Sequence, residues 1–272
     1  MVKCQTIMDA MERIAPRALA EDWDNPGLLV GSPRQEISRV LVCLDVSESV
    51  LQLAVENGCN LIVAHHPLIF KPMKKLRTDL PLGHLLQELL RKDIAVYAAH
   101  TNLDIVQGGV NDVLVRRIGL SELEPFILAQ PAEGRSPFAP ESLGRIGQLS
   151  SPMDIDAFAA RVKQGLGAQH VRLVRSGSKL VRKVALCSGS GAEFISKAVF
   201  CGADAYVTGD VRYHDAQRAF AAGLHVIDAG HFPTEFPVVE PLAARLRQEL
   251  EKVKGTVEIL TDTESTDFFT MV

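Results

Sequence analysis

The residues best suited to chemistry are histidines and carboxylates that follow short apolar runs. They are His65, His66, His100, Asp104, His231 and Glu235. The two adjacent histidines follow the run LIVA, whereas His100 and His231 each precede a carboxylate by four residues. In a helical turn, residues four apart lie on one face, so each such pair directs a nitrogen and an oxygen to the same space.

Each of these patterns alone has an ordinary structural interpretation. A lone HxxxD is more typical of a solvated pair than of a ligand set. Pro67 ends the strand after His65 and His66, and the two imidazoles could hydrogen-bond within a turn. Neighbouring side chains of an extended segment point to opposite faces, so both serve one cavity only if the chain turns or two metals flank it. Three strand ends carrying HH, HxxxD and HxxxE supply imidazole and carboxylate ligands, which suit zinc, iron or manganese. The thiolates are too few for a closed structural zinc site.

The segments between these residues alternate between strand and helix patterns. The first half predicts strands at 39–45, 61–64 and 94–99 and helices at 47–57, 82–92 and near 109–118. The second half predicts helices at 154–166, 191–201 and 212–222 and strands at 169–175, 182–187, 204–208 and 224–229. This order predicts an α/β fold with mainly parallel sheets, in which ligands gather beyond the carboxyl ends of the strands.

The second half of the chain repeats the first. A shift of 144 positions aligns residues 40–63 with 184–207 without a gap, and it aligns His66 with Asp210. A shift of 131 aligns IAVYAAHTNLD with HVIDAGHFPTE. In both copies the strand ends with a histidine, and a carboxylate follows four residues later. Shared apolar periodicity of two βαβ units is the alternative explanation. The double match favours two similar units with the metal site between them.

Composition limits the remaining function classes. The chain has 272 residues, 47% of them hydrophobic and 23% charged, which suffices for a large core. A net charge of −4 makes a nucleic-acid partner unlikely on electrostatic grounds. Five cysteines without CxxC spacing indicate buried thiols in a reducing compartment. The apolar runs are too short to cross a bilayer, and no signal-peptide pattern is visible. We therefore expect a soluble cytoplasmic protein without a membrane partner.

Five motifs in order along the chain resemble the NIF-three-like family, whose bacterial members are called GTP cyclohydrolase 1 type 2 homologues. They are EDWDNPGLLVG at 21–31, AHHPLIF at 64–70, AAHTNLD at 98–104, TGDVRYHDA at 208–216 and DAGHFPTE at 228–235. The resemblance implies two interlocked α/β units, which we expect at 1–125 with 230–272 and at 126–229. It also implies a toroidal homohexamer with a dinuclear metal centre facing the inner cavity.

The resemblance also assigns the two divalent ions per chain to particular side chains. It implies that His66 and Asp104 bind one ion, that His65 and His231 bind the other, and that Glu235 bridges both. His100 has no ligand role in this pattern. We interpret it as a group behind the ligands, a proton shuttle or a structural imidazole.

Other motifs are weaker candidates for the functional site. Asp210 and His214 are candidates for lining the cavity, and Ser188–Gly191 is either an anion-binding turn or only a tight turn. The basic cluster Lys71, Lys74, Lys75 and Arg77 steers a phosphate or forms a solvated loop. Trp23–Gly31 has a turn composition that its tryptophan could anchor, and its polar residues either contact a substrate or only form a loop. Residues 129–147 resemble a linker or a long surface connection. His84, His170 and His225 are interpreted as structural.

Two functions follow from these patterns. The first is a hydrolase of a nucleotide or related small molecule, in which two metal ions activate water. The GTP ring-opening reaction rests on the family name alone, because the sequence shows no guanine pocket. The second is a ring-shaped regulatory or interaction scaffold in which the metals have a structural role.

Overall fold

The computed structural model describes residues 1–128, 142–253, 255–270 and 272. Its strands are β1 Val2–Lys3, β2 Gly27–Val30, β3 Glu36–Ile37, β4 Arg39–Cys43, β5 Leu61–Ala64, β6 Ala95–Ala98, β7 Ser121–Leu128, β8 Ser142–Met153, β9 Arg172–Val174, β10 Val181–Ser190, β11 Ala205–Gly209, β12 His225–Asp228 and β13 Glu258–Thr261. Its α-helices are α1 Cys4–Ile14, α2 Glu48–Glu56, α3 Pro81–Arg91, α4 Thr101–Ile105, α5 Val110–Ile118, α6 Ile155–Leu166, α7 Ile195–Phe200, α8 Tyr213–Ala221, α9 His231–Glu235 and α10 Val239–Glu251. Among the described residues, no helix has the length and apolar character needed to span a bilayer.

The chain divides into two compact units. Unit 1 comprises Met1–Val106 and Val238–Thr266, and unit 2 comprises Gln107–Pro237 and Asp267–Val272.

Unit 1 is built on a five-stranded sheet in the order β13-β4-β5-β6-β2. All neighbours are parallel except β2, which runs antiparallel to β6. The runs of β5 and β6 are buried along their whole length, as expected for parallel strands covered on both faces. Helices α2 and α3 bury apolar side chains against one face, among them Leu51, Leu86 and Leu89. Helix α10 contacts β4, β13 and α1.

Unit 2 is built on a six-stranded sheet in the order β7-β8-β10-β11-β12-β9. Strands β10, β11 and β12 are parallel, and antiparallel strands flank them on both sides. Alternate residues of β10 face different cores, because side chains of a strand alternate between its faces. Val184 and Leu186 pack with α5 and α6, whereas Ala185 and Cys187 pack with α7 and α8.

The predicted α/β fold is therefore confirmed, and the repeated motifs occupy equivalent elements. In each unit three consecutive parallel strands are followed by a helix of five residues, which is α4 after β6 and α9 after β12.

Two predicted loops contain strands. Residues 142–147, interpreted as part of a linker, belong to β8, which pairs with β7 and β10; residues 129–141 lie outside the described part of the chain. Gly27–Val30, interpreted as part of a turn, is β2. Its short apolar run forms the edge of the sheet by pairing with β6. No local sequence pattern predicts this pairing.

Candidate metal centre

Three imidazoles converge in unit 1 at the carboxyl ends of two neighbouring strands. His65 and His66 follow β5, and His100 is the N-cap residue of α4, just after β6. Because β5 and β6 are parallel and in register, their ends coincide. One nitrogen from each imidazole lies within 4.8 Å of one nitrogen from each of the others. Parallel pairing thus brings residues 35 positions apart to one point at the sheet edge, as sequence reasoning expects.

The three imidazoles are oriented alike. The Nδ1 atom of His65 lies 2.9 Å from the carbonyl oxygen of Ala99, that of His66 lies 2.8 Å from Asp45 Oδ1, and that of His100 lies 2.8 Å from Asp24 Oδ1. A carbonyl and an ionised carboxylate only accept hydrogen bonds, so Nδ1 carries the proton in each ring. In a neutral ring Nε2 is then the nitrogen that could bind a metal, the arrangement typical of metal-binding histidines.

Asp104 supplies unit 1 with a buried carboxylate. It lies on α4 with 7% of its surface exposed, and its Oδ1 atom is 3.6 Å from Nε2 of His65. Since Nδ1 of His65 donates to Ala99, a neutral ring directs its Nε2 lone pair at this carboxylate. Two such groups repel each other unless a cation or a proton lies between them. The donor set therefore fits a divalent ion.

Asp24 holds His100 and the start of α4. It accepts hydrogen bonds from the imidazole of His100 and from the backbone and hydroxyl of Thr101. Burial would raise the pKa of Asp24, but the hydrogen bond and charge of His100 and the hydrogen bonds from Thr101 lower it to about 2. Asp24, rather than Trp23, anchors this loop, because Trp23 is exposed.

Unit 2 carries the second predicted pair on one helical turn. His231 and Glu235 are the first and last residues of α9, and the Nε2 and Oε2 atoms are 3.0 Å apart. Nδ1 of His231 lies 2.7 Å from Oδ2 of Asp210, which follows β11. Both nitrogens of this imidazole thus face carboxylates, so a cation or a second ring proton is needed to balance them. Glu235 is buried, with 4% of its surface exposed.

The backbone of Gly189 positions the Glu235 carboxylate. Gly189 has a φ of +59°, and a Cβ added there would overlap Oε1 of Glu235. Its N–H donates to the hydroxyl of Thr234, beside Glu235. The Ser188–Gly191 motif therefore provides room for a carboxylate. Sequence reasoning noticed the glycines but assigned them to an anion or a turn.

Asp228 connects the two loops that present Asp210 and His231. Its Oδ2 atom accepts the N–H of Val211, and its Oδ1 atom accepts the N–H of Gly230. Arg172 also pairs with Oδ2. Sequence reasoning missed the roles of these carboxylates. Asp24 and Asp45 lie behind imidazoles, Asp228 connects two loops, and the three share no spacing with the histidines.

The remaining candidates have other contacts. The Nδ1 atom of His214 lies 3.3 Å from Oε1 of Gln217, on the same helix. His225 accepts the N–H of Ser176 and lies near the carbonyl of Lys179, which agrees with a structural role. Burial raises the pKa of the Cys4 and Cys59 thiols to about 11, so neither is a thiolate nucleophile at neutral pH.

The chain is similar over its length to known proteins. A family model described as Duf34/NIF3 (NGG1p interacting factor 3) matches residues 2–267. A protein named "GTP cyclohydrolase 1 type 2 homolog" from Clostridium perfringens is 34% identical over 272 residues, and the match covers 100% of both chains. Another of that name, from Halalkalibacterium halodurans, is 30% identical over 367 aligned positions that cover 98% of each chain, so it contains residues without a counterpart here. The crystal structure of a Bacillus cereus protein related to NIF3 has a TM-score of 0.91 at 29% identity and covers 99% of each chain.

Proposed function

The chain belongs to the Duf34/NIF3 family, and from that premise we propose that it is a dinuclear metal-dependent hydrolase. Its substrate would be a nucleotide or a related small molecule, a class suggested by the name that its relatives carry. The five proposed ligands are His65, His66 and Asp104 from unit 1 and His231 and Glu235 from unit 2.

The observation that carries this proposal is the common orientation of the imidazoles. His66, His100 and His231 each have Nδ1 on a carboxylate, and His65 has Nδ1 on a carbonyl. A histidine that only stabilises a fold has no need of an acceptor that fixes Nδ1 of its ring from behind. Three rings held by a carboxylate and one held by a carbonyl, together with two buried carboxylates, are typical of first-row divalent metal sites.

Contacts within unit 1 suggest a refinement of the ligand pairing. The 3.6 Å separation of His65 Nε2 and Asp104 Oδ1 favours one ion shared by these two residues. His66 would then bind the other ion together with His231, and Glu235 would bridge both. This pairing differs from the one that the family resemblance implies, in which His66 shares an ion with Asp104.

Divalent ions held by these residues would lower the pKa of a coordinated water and polarise a substrate oxygen. The residues behind them keep the donors in place: Asp45 and Asp210 fix the rings of His66 and His231 through their Nδ1 protons. Nδ1 of His100 lies 2.8 Å from Asp24 Oδ1, which leaves Nε2 as the ring nitrogen that would exchange a proton with a substrate. His100 is therefore the proposed proton shuttle.

A scaffold function is the second candidate. It is favoured by the family description, which names an interacting factor. In that case the ions would stabilise an assembly, for which we propose the homohexamer that the sequence resemblance implies.

The deciding experiment compares the wild-type protein with Glu235→Gln. Metal content per chain, mass in solution and hydrolysis of a nucleotide panel are measured with and without a chelator. The hydrolase proposal expects about two ions per chain in the wild type, and turnover that both the chelator and Glu235→Gln abolish while the oligomer persists. Metal-replete protein that hydrolyses nothing, together with a variant that loses only its assembly, supports the scaffold instead. His84→Asn serves as the matched control, because His84 lies on α3 and is not a proposed ligand.

A further inference from the structure

An exposed tryptophan lies beside the unit 1 histidines and has no part in the proposed metal chemistry. Trp23 is the only tryptophan of the chain, and 59% of its surface is exposed. Its ring lies edge-to-face against Phe70, with centroids 5.8 Å apart, and against His100, with centroids 6.1 Å apart. Phe70 and His100 are also edge-to-face at 6.1 Å. We call these three rings the aromatic cluster.

Hydrogen bonds fix the loops that carry the aromatic cluster. Asp24, next to Trp23, is buried against His100 and Thr101. The side chain of Asn25 donates to the carbonyl of Ile69, next to Phe70, at 2.6 Å. The two exposed rings are thus held in position rather than left to fold back onto the core. Rings that are ordered before a ligand arrives lose little entropy on binding it.

The segment after Phe70 adds positive charge and a cavity. A cavity of about 380 Å³ has walls that include Leu29, Ile69 and Met73, together with Lys74 and Lys75. Its volume is in the range of small-molecule sites. Arg77 on the same segment is paired with Asp79, whereas no ion pair in the described part of the chain involves Lys74 or Lys75. Their charges are therefore available to an anionic ligand.

We propose that this surface binds a planar heteroaromatic ring that carries an anionic group. The ring stacks on Trp23 beside His100, and Lys74 and Lys75 pair with the anion. Stacking on an indole requires a flat π-system and discriminates against a sugar or an aliphatic acid. Trp23 is thus a specificity-determining residue. The inference rests on the proposed function only for the hydrolysis that would follow binding.

The single tryptophan makes the binding step directly measurable. Trp23 emission, excited at the red edge of its absorption, is recorded during titration with guanosine 5′-monophosphate, guanosine and ribose 5-phosphate. The full chain is used both metal-loaded and chelator-treated. We expect saturable quenching by the nucleotide, weaker binding of the nucleoside, and no effect of the sugar phosphate. The quenching is expected to survive metal removal, because no proposed metal ligand stacks on the ring.

Variants separate the two contributions to binding, with calorimetry used where the fluorophore is lost. Trp23→Leu should weaken nucleotide binding about tenfold, and Trp23→Phe should recover much of it. The double variant Lys74→Gln, Lys75→Gln should weaken nucleotide binding about tenfold and leave guanosine binding unchanged. Two matched controls should bind like the wild type: Phe220→Leu, an exposed aromatic in unit 2, and Lys92→Gln, an exposed lysine at the end of α3.

The outcomes distinguish this inference from the proposed function. Saturable quenching without any hydrolysis supports the inference and counts against the hydrolase. Hydrolysis with unchanged Trp23 emission overturns the inference and leaves the hydrolase standing. Emission that depends on protein concentration, and not on nucleotide, also overturns it, because a second copy of the chain would then cover the tryptophan.

Discussion

Nδ1 of His231 lies 2.7 Å from Oδ2 of Asp210, a residue that adopts a left-handed backbone conformation with φ of 55°. A non-glycine residue in this conformation is uncommon, and such strain concentrates at functional sites. Asp210 also occupies the position that the internal repeat aligns with His66. One copy of the repeat thus carries an imidazole at this position, and the other carries the carboxylate that orients an imidazole.

Asp210→Asn should weaken metal binding about 10- to 100-fold, the range typical of residues behind a metal-binding histidine. The amide is a poorer acceptor than the carboxylate and lacks its charge, so the ring of His231 loses orientation and basicity. Competition with a chromogenic chelator measures the affinity. Asp215→Asn removes a carboxylate from the first turn of α8 and should leave the affinity unchanged. Equal affinities of Asp210→Asn and the wild type would contradict the role given to this pair.

Gly189→Ala should lose metal affinity, because the new methyl group displaces the Glu235 carboxylate. Gly202→Ala is the matched control: Gly202 has a similar φ of +69°, and nothing lies within 4 Å of a Cβ added there. Both variants should lose about 1 kcal/mol of stability from the left-handed backbone. Only Gly189→Ala should change the result of a metal titration. If both variants bind metal like the wild type, Gly189 does not position Glu235.

Asp24→Asn should lower stability in a pH-dependent manner. The folded pKa of about 2 lies below the ordinary value of 3.8, so the contribution of Asp24 is present above pH 4 and is lost as pH falls toward 2. The shift corresponds to about 2 kcal/mol. Denaturant unfolding of chelator-treated protein should show this difference from the wild type at pH 6, and the difference should shrink at pH 3. A difference that is constant with pH would assign the effect to lost packing.

Divalent metal should raise the melting temperature of the wild type. Ions that bind only the folded chain contribute about 2.7 kcal/mol at a hundredfold excess over the dissociation constant. His66→Asn should reduce this increase, whereas His170→Asn, a change at a histidine interpreted as structural, should not. Scanning fluorimetry with zinc or manganese provides the measurement. An equal increase in both variants would remove His66 from the ligand set.

Spacing along the chain predicts the contact within α9, because the geometry of one helical turn is local. The HxxxE pair of α9 lies on one helical turn with its two polar atoms 3.0 Å apart. The HxxxD pair behaves differently: Asp104 lies near His65, and His100 is hydrogen-bonded to Asp24, which is 76 positions away. Which imidazole a carboxylate meets depends on strand pairing, and spacing along the chain does not encode that.

The sequence also predicted the parallel strands better than the antiparallel ones. Buried parallel strands are continuous apolar runs, and the run LIVA coincides with β5. Strands β7 and β8 contain polar residues, proline and glycine, and they form because each supplies the hydrogen-bonding partner of the other. The carboxylates behind the imidazoles escaped prediction for a similar reason, since their role depends on the tertiary fold.

Helices α4 and α9, which present the proposed carboxylate ligands, are only five residues long. Segments of this length do not stay helical in isolation, so their shape comes from the folded units around them. In an unfolded chain, whether newly synthesised or melted by heat, His231 and Glu235 would not be fixed relative to each other. Their affinity for a metal ion would then be low. Metal ions bound by the folded protein would therefore be released whenever the chain unfolds.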